Sequence, residues 1–247
     1  MDEEMAVQGR NQAVSKALLL TDAEAELFFD RLAAGISPRC ELEYTTLLDL
    51  LVAVVLSAQS TDKAVNQVTA ELWQHCRTPE DYLALGTAGL ESFLRRLGLF
   101  RAKSRSIIGI CEQLLERHGG EVPATLEELM ALPGVGRKTA NVVLNVGFGE
   151  PTLAVDTHVF RVANRSGLVA ATTPEAVEAA LLPRVPERHR RHAHHYLVLH
   201  GRYTCQARRP ECATCAVADL CVTARQDLNR PERSTSSAGE KSQHGTI

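Results

Sequence analysis

The chain has 247 residues, 27 Lys and Arg against 30 Asp and Glu, and 45% hydrophobic content, an ordinary globular balance with enough length to bury one large core or two small ones. The longest apolar run, Leu50 to Leu56, is too short to span a bilayer, and the polar, acid-led stretch Met1 to Lys16 lacks the basic start and apolar centre of a signal peptide. A cytoplasmic chain with no membrane role is therefore expected, and in that reducing compartment its seven cysteines need a purpose other than disulfides.

The net charge of −3 excludes a uniformly basic surface, but the charge is unevenly spread. Residues 1–90 hold six basic and fourteen acidic side chains, whereas residues 91–225 hold eighteen basic and thirteen acidic. A polyanion would find its partner surface in the later part.

In chain order, residues 1–20 read as a tail. Leu47, Leu50, Leu51, Val54 and Val55 fall at helical spacing. Trp73 reads as core, and Cys40, Cys76 and Cys111 as buried hydrophobes. Thr78-Pro79-Glu80-Asp81 is a helix start: a capping hydroxyl, proline at the first helical position, then acids in the first turn. Ile107, Ile108, Cys111, Leu114 and Leu115 mark another helix, ended by Gly119-Gly120. Thr125 before Glu127 and Glu128, and Thr173-Pro174-Glu175, repeat the start signal. His189, Arg190, Arg191, His192, His194 and His195 read as a solvated basic helix face. Residues 226–247, with Ser234 to Gly239 and few apolar side chains, form a second tail. Alternating strand-like runs are nearly absent, so the fold class is all-α with about ten helices.

Leu132-Pro133-Gly134-Val135-Gly136-Arg137-Lys138-Thr139-Ala140 is the most informative local stretch. One helix ends at Pro133, two glycines turn the chain, and another begins near Arg137. The free amides of such a turn and of the new helix's start form an anion site that suits a phosphate diester without reading a base. Gly134, Val135, Gly136 and Arg137 are thus candidate DNA contacts; a plain glycine-capped turn is the alternative, and the flanking Pro133 and Arg137-Lys138 weigh against it. A helix N-terminus, Arg137 next door and partial burial would together favour a neutral, nucleophilic Lys138 able to form a Schiff base. On local grounds alone Lys138 reads as a phosphate contact ahead of a catalyst. Asp156 precedes an apolar-periodic run and should cap a helix; facing Lys138 across a cleft, its carboxylate would also accept a proton or stabilise positive charge on a sugar.

Cys205, Cys212, Cys215 and Cys221 form C-x6-C-x2-C-x5-C. Zinc is one occupant for four thiolates, but zinc ribbons usually pair two short knuckles, and only Cys212 and Cys215 are that close. The longer arms suit a [4Fe–4S] cluster with one thiolate per iron. The first arm, tethered at both ends, offers Arg208 and Arg209 to phosphates.

Taken in this order, the hairpin, the Val155–Val162 segment and the cysteine spacing resemble bacterial endonuclease III. Leu56–Asp62, Gly98–Ser104 and Leu199–Cys205 agree, so the likeness spans roughly residues 40–222. It implies a two-domain helix-hairpin-helix glycosylase fold: a six-helix barrel over 41–150, and a cluster domain combining 21–40 with 151–225, with duplex DNA across the cleft. It further implies a monomeric, nucleoid-associated base-excision enzyme acting on damaged pyrimidines and abasic sites. Lys138 would be the nucleophile, Asp156 the essential carboxylate and the four cysteines the cluster ligands; Gln59 and Leu99 would enter the duplex beside the flipped nucleotide. Ser60 stands where the family pattern has alanine, a departure expected to leave the chemistry untouched. Rival readings are an adenine glycosylase of the same superfamily and a non-catalytic DNA-binding module with structural zinc. Against the first stand Lys138 and the Val52-Ala53-Val54-Val55 run, which lacks the glutamate that adenine glycosylases use.

Overall fold

A computed structural model describes residues 19–228, in which eleven α-helices and three short 3₁₀ turns follow one another with no strand. The helices are α1 (Asp22–Gly35), α2 (Leu47–Ser57), α3 (Asp62–Leu72), α4 (Pro79–Leu94), α5 (Phe100–His118), α6 (Leu126–Ala131), α7 (Arg137–Phe148), α8 (Thr157–Ser166), α9 (Pro174–Leu181), α10 (Ala193–Tyr203) and α11 (Val222–Leu228). Threonine starts six of them. Thr78, Thr125 and Thr173 cap as their local sequence requires, and Thr21, Thr46 and Thr61 do the same, each hydroxyl accepting from an amide three residues on. None of these helices is long and apolar enough to cross a membrane.

The buried apolar side chains fall into two clusters. One gathers Leu42 to Leu144 and centres on α2, whose residues Leu48 to Leu56 are all buried. The spacing Leu47, Leu50, Leu51, Val54, Val55 marks the helix; other helices surround it, and a helix apolar on nearly every side belongs inside. The second cluster joins Phe28 and Phe29 of α1 to Val159, Val162 and Leu197 of α8 and α10. The first helix in sequence thus packs with the last ones.

The tails expected over 1–20 and 226–247 lie largely outside the described residues, and at both inner edges the ordered fold reaches further than expected. Leu20 is buried and its amide donates to Gly167 O at 2.8 Å. Helix α11 runs to Leu228. An apolar Leu20 beside the capping Thr21 gains more by docking on the second cluster than a polar tail could.

Two polar ties join the clusters beside the cleft they flank. Asn145 Nδ2 donates to the carbonyls of Glu150, Thr152 and Arg191 at 2.9–3.1 Å, holding the crossing segment down. Arg202 of α10 pairs with Asp62 at 2.7 Å and with Glu41.

Candidate active site and nucleic-acid interface

The hairpin forms as its glycines dictate. Helix α6 stops at Ala131, Gly134 adopts φ +75°, and Gly136 is the N-cap of α7 with no side chain to cap it. The amides of Gly134, Gly136, Arg137, Lys138 and Thr139 consequently have no hydrogen-bond partner among the described residues. Five unpaired donors around one turn are what an anion such as a phosphate would need there. Val135 departs from expectation: its side chain is buried in the first cluster and its amide donates to Leu132 O at 3.1 Å, so it anchors the turn and offers a ligand nothing.

Gly134 tolerates no side chain. A Cβ there would lie 2.4 Å from Ser106 Oγ on a left-handed backbone, whereas at Gly136 (φ −91°) it would meet open space. Gly134→Ala should therefore destabilise the fold by roughly 1–3 kcal/mol. Thermal melting would show a fall of about 2–4 °C per kcal/mol for a chain of this size, with DNA affinity lowered alike for all sequences, as for any backbone contact. Gly136→Ala should cost only the few tenths to about 1 kcal/mol of a poorer cap.

Beside the hairpin lies a cleft of about 490 Å³ lined from both clusters, by Lys138, Val142 and Val146 on one side and Asp156, His194 and Val198 on the other, a size that holds a nucleoside-sized ligand. Asp156 caps α8 as expected: Oδ1 accepts from the amides of His158 and Val159, both at 2.8 Å. Because one oxygen serves both amides, Oδ2 is left without a partner among the described residues.

Lys138 lines the same cleft but is exposed, and Arg137 beside it is engaged bidentately by Glu178, with contacts of 2.8–3.2 Å. The partial burial expected of Lys138 is thus not found, and the guanidinium expected beside it is paired with Glu178. The exposed start of a helix cannot desolvate its own side chain; a bound ligand would have to. The Glu178 pair engages Nε and Nη2 of the Arg137 guanidinium and raises its pKa, leaving Nη1 without a partner among the described residues.

The basic run after Glu187 is only in part the solvated face expected: Arg190 and Arg191 are exposed, but the histidines turn inward. His189 and His194 are buried, and His194 and His195 reach the cleft. The 3₁₀ turn at Glu187–His189 breaks the helical register before α10 begins, which periodicity alone could not reveal. His194 Nδ1 lies 3.0 Å from Ala154 O, a contact that keeps its proton on that nitrogen, and burial pushes its pKa down. His195 is pushed down to about 4, also by burial. Cys40, expected in the core, is half-buried in the cleft wall, while Cys76 and Cys111 are buried as expected. Trp73 is core, its Nε1 donating to Tyr82 Oη at 3.2 Å.

Gln59 and Leu99 are the only two non-glycine residues among those described with positive φ, at 54° and 59°. Both are exposed, Leu99 to 56%. Left-handed backbone is unfavourable for a bulky side chain and persists where surroundings impose it, often at functional sites. The two turns touch: a Cβ on Gly98 would lie 3.3 Å from Gln59 O.

All four cysteines of the x6/x2/x5 pattern line one cavity, walled by Phe28, Val162, Val217 and Ala224. Among the described residues no three His, Cys, Asp or Glu side chains converge on a single metal-ion position; the thiols surround a space instead. Burial raises the pKa of Cys215 and Cys221, so thiolates there need a positive counterpart, which an iron cluster provides. The donor set and its apolar walls thus fit a cluster. The loop carrying exposed Arg208 and Arg209 is held by two arginines that the sequence did not single out. Arg165 donates to Gln206 O and Ala207 O at 2.7 and 2.8 Å, and Arg161 to Cys205 O at 2.9 Å. Their only advance signal was i, i+4 spacing on α8.

The profile of the HhH-GPD superfamily base excision DNA repair proteins matches residues 52–187. Endonuclease III of Haemophilus influenzae is 52% identical over 184 residues, covering 74% of this chain and 87% of that protein. Endonuclease III of Treponema pallidum is 50% identical over 204 residues, covering 82% and 97%. The chain belongs to the endonuclease III family. It is accordingly a base-excision-repair enzyme, a DNA glycosylase and abasic-site lyase. The fold agrees. A trapped endonuclease III–DNA covalent intermediate superposes with a TM-score of 0.81 at 42% identity, covering 85% of this chain and all of that one, and a non-covalent endonuclease III–DNA complex does so at 41%. A thermostable thymine-DNA glycosylase, 20% identical with a TM-score of 0.75, shares the fold.

Proposed function

We propose that this endonuclease III family member acts on damaged pyrimidines in duplex DNA, releasing the base and then cutting the strand 3′ to the abasic site through a Schiff base on Lys138. The observation carrying this reading is that Lys138, beside the unpaired hairpin amides, and Asp156, with a free carboxylate oxygen, line one cleft. The hairpin amides seat a phosphate, and Gln59 and Leu99 fill the space left by the flipped nucleotide. Lys138 Nζ attacks C1′ as the base leaves with the bond's electron pair and a proton. Asp156 stabilises positive charge on the sugar as that bond breaks. The ring opens to an imine between Nζ and C1′, which acidifies the C2′ proton; loss of that proton expels the 3′ phosphate. That a relative was trapped covalently on DNA supports a covalent step here.

Cys205, Cys212, Cys215 and Cys221 would hold a [4Fe–4S] cluster, which supplies cross-linking and counter-charge to the loop bearing Arg208 and Arg209. No step of the reaction needs an electron from it. The enzyme works on this reading as a monomer.

The test is to incubate purified protein with an abasic duplex and borohydride, which reduces an imine to a stable amine. A covalent protein–DNA band, from protein with the yellow-brown colour of an iron–sulfur cluster, is expected; colourless protein that binds DNA without forming the band would overturn the scheme. Base release from duplexes carrying an oxidised pyrimidine, an oxidised purine or a mispaired adenine then checks the lesion class, with the pyrimidine fastest.

A further inference from the structure

We propose that Ser60 and Lys103 form a tie that holds the Gln59 turn and the Leu99 turn at one spacing, so that the two side chains enter the duplex as a single wedge. This rests on reading Gln59 and Leu99 as the residues that fill the flipped nucleotide's place. Lys103 Nζ donates to Ser60 Oγ at 2.9 Å, its only hydrogen bond among the described residues. Ser60 directly follows Gln59, and Lys103 stands one turn after Leu99, its amide donating to Leu99 O at 3.0 Å. The bond therefore joins the two left-handed positions from behind, where Gly98 already brings the backbones into contact.

Packing alone does not account for the amine. Lys103 is 4% exposed, and burial pushes its pKa down, so an ammonium with one hydroxyl partner is held at a disadvantage that a similar-sized apolar side chain would avoid. What the amine adds is direction, one bond of defined length between segments 43 residues apart in sequence. Two isolated turns could each relax from left-handed backbone; tied to one another they cannot do so separately. Ser60 is thereby the residue that makes the tie possible, because an alanine there could not accept the bond.

The experiment compares Ser60→Ala, Lys103→Met and the double variant in the full chain. It measures single-turnover base release from a duplex with an oxidised pyrimidine, borohydride trapping on a single-stranded abasic oligonucleotide, and thermal melting. A single strand leaves no gap to fill, so it reports the lysine chemistry without the wedge. Both single variants should lower the ratio of duplex to single-strand rate by roughly tenfold or more, as misplacement near a reacting centre does, and the double variant should be no worse than either. Their stabilities should move oppositely. Ser60→Ala strands a buried amine and melts lower; Lys103→Met removes it and melts at or above the parent.

Activity that follows melting temperature instead, with Lys103→Met at full rate, would overturn the tie and leave a merely structural bond. Gln59→Ala and Leu99→Ala separate the two ideas. If they lower the ratio while Ser60→Ala and Lys103→Met do not, the wedge stands and the tie falls. If neither lowers it, the wedge reading itself fails.

Discussion

Lys138→Gln is expected to abolish borohydride trapping on an abasic duplex, a loss of roughly a thousandfold or more, as when an activated nucleophile is removed. The side chain is exposed at the first turn of α7 and makes no hydrogen bond within the described residues, so melting should change by no more than about 0.5 kcal/mol. The loss would thus be chemical and not a failure to fold. Lys138→Arg then separates nucleophile from phosphate contact. Arginine keeps the charge and can bind a phosphate, yet it cannot be deprotonated in a protein and forms no Schiff base of this kind. DNA affinity and its salt dependence should stay near the parent's in Lys138→Arg, and fall modestly in Lys138→Gln, while trapping is lost in both. Trapping retained by either variant would place the imine on another amine. Lys138 is exposed in the free protein, and DNA laid across the cleft would cover it.

Asp156→Asn is the second large effect, and here the two roles of one side chain come apart. Both capping bonds end on Oδ1, and asparagine caps about as well as aspartate. The variant should give up only the interaction of a negative charge with the helix start, about 0.3–1 kcal/mol. Base release should nevertheless fall roughly a hundredfold to a thousandfold, as when a preorganised charge facing the transition state is removed. Asp156→Ala loses the cap as well, about 1 kcal/mol more, so it should melt lower than Asp156→Asn while being no less active. Single-turnover rates and melting curves on the same preparations check both halves. An Asp156→Asn enzyme with the parent's rate would reduce Asp156 to a helix cap.

Much of this was legible along the chain. The punctuation Thr78-Pro79-Glu80-Asp81 and Thr173-Pro174-Glu175 works through bonds to residues three positions away, so the local sequence determines where α4 and α9 start without help. Gly134 demands a turn because its own φ demands it. Asp156 caps because the amides it serves are its next neighbours. The four cysteines line one cavity because the arms between them are short. Even the all-helical class follows from residues near one another in sequence.

Tertiary structure decided what depends on distant partners. Whether α2 shows one face or none to solvent depends on the helices around it, and its run of Leu and Val was compatible with either. Whether Arg137 is free depends on Glu178, 41 residues on and on a different helix. The histidines after Glu187 looked solvated until α10 turned His194 and His195 into the cleft. The Ser60–Lys103 bond behind the left-handed residues Gln59 and Leu99 exists only because two turns meet. Chain-local hydrogen bonds and dihedral preferences are properties of the sequence; burial, ion pairing and the meeting of two turns are properties of the packed fold, where a group's surroundings come from whichever segment lands against it.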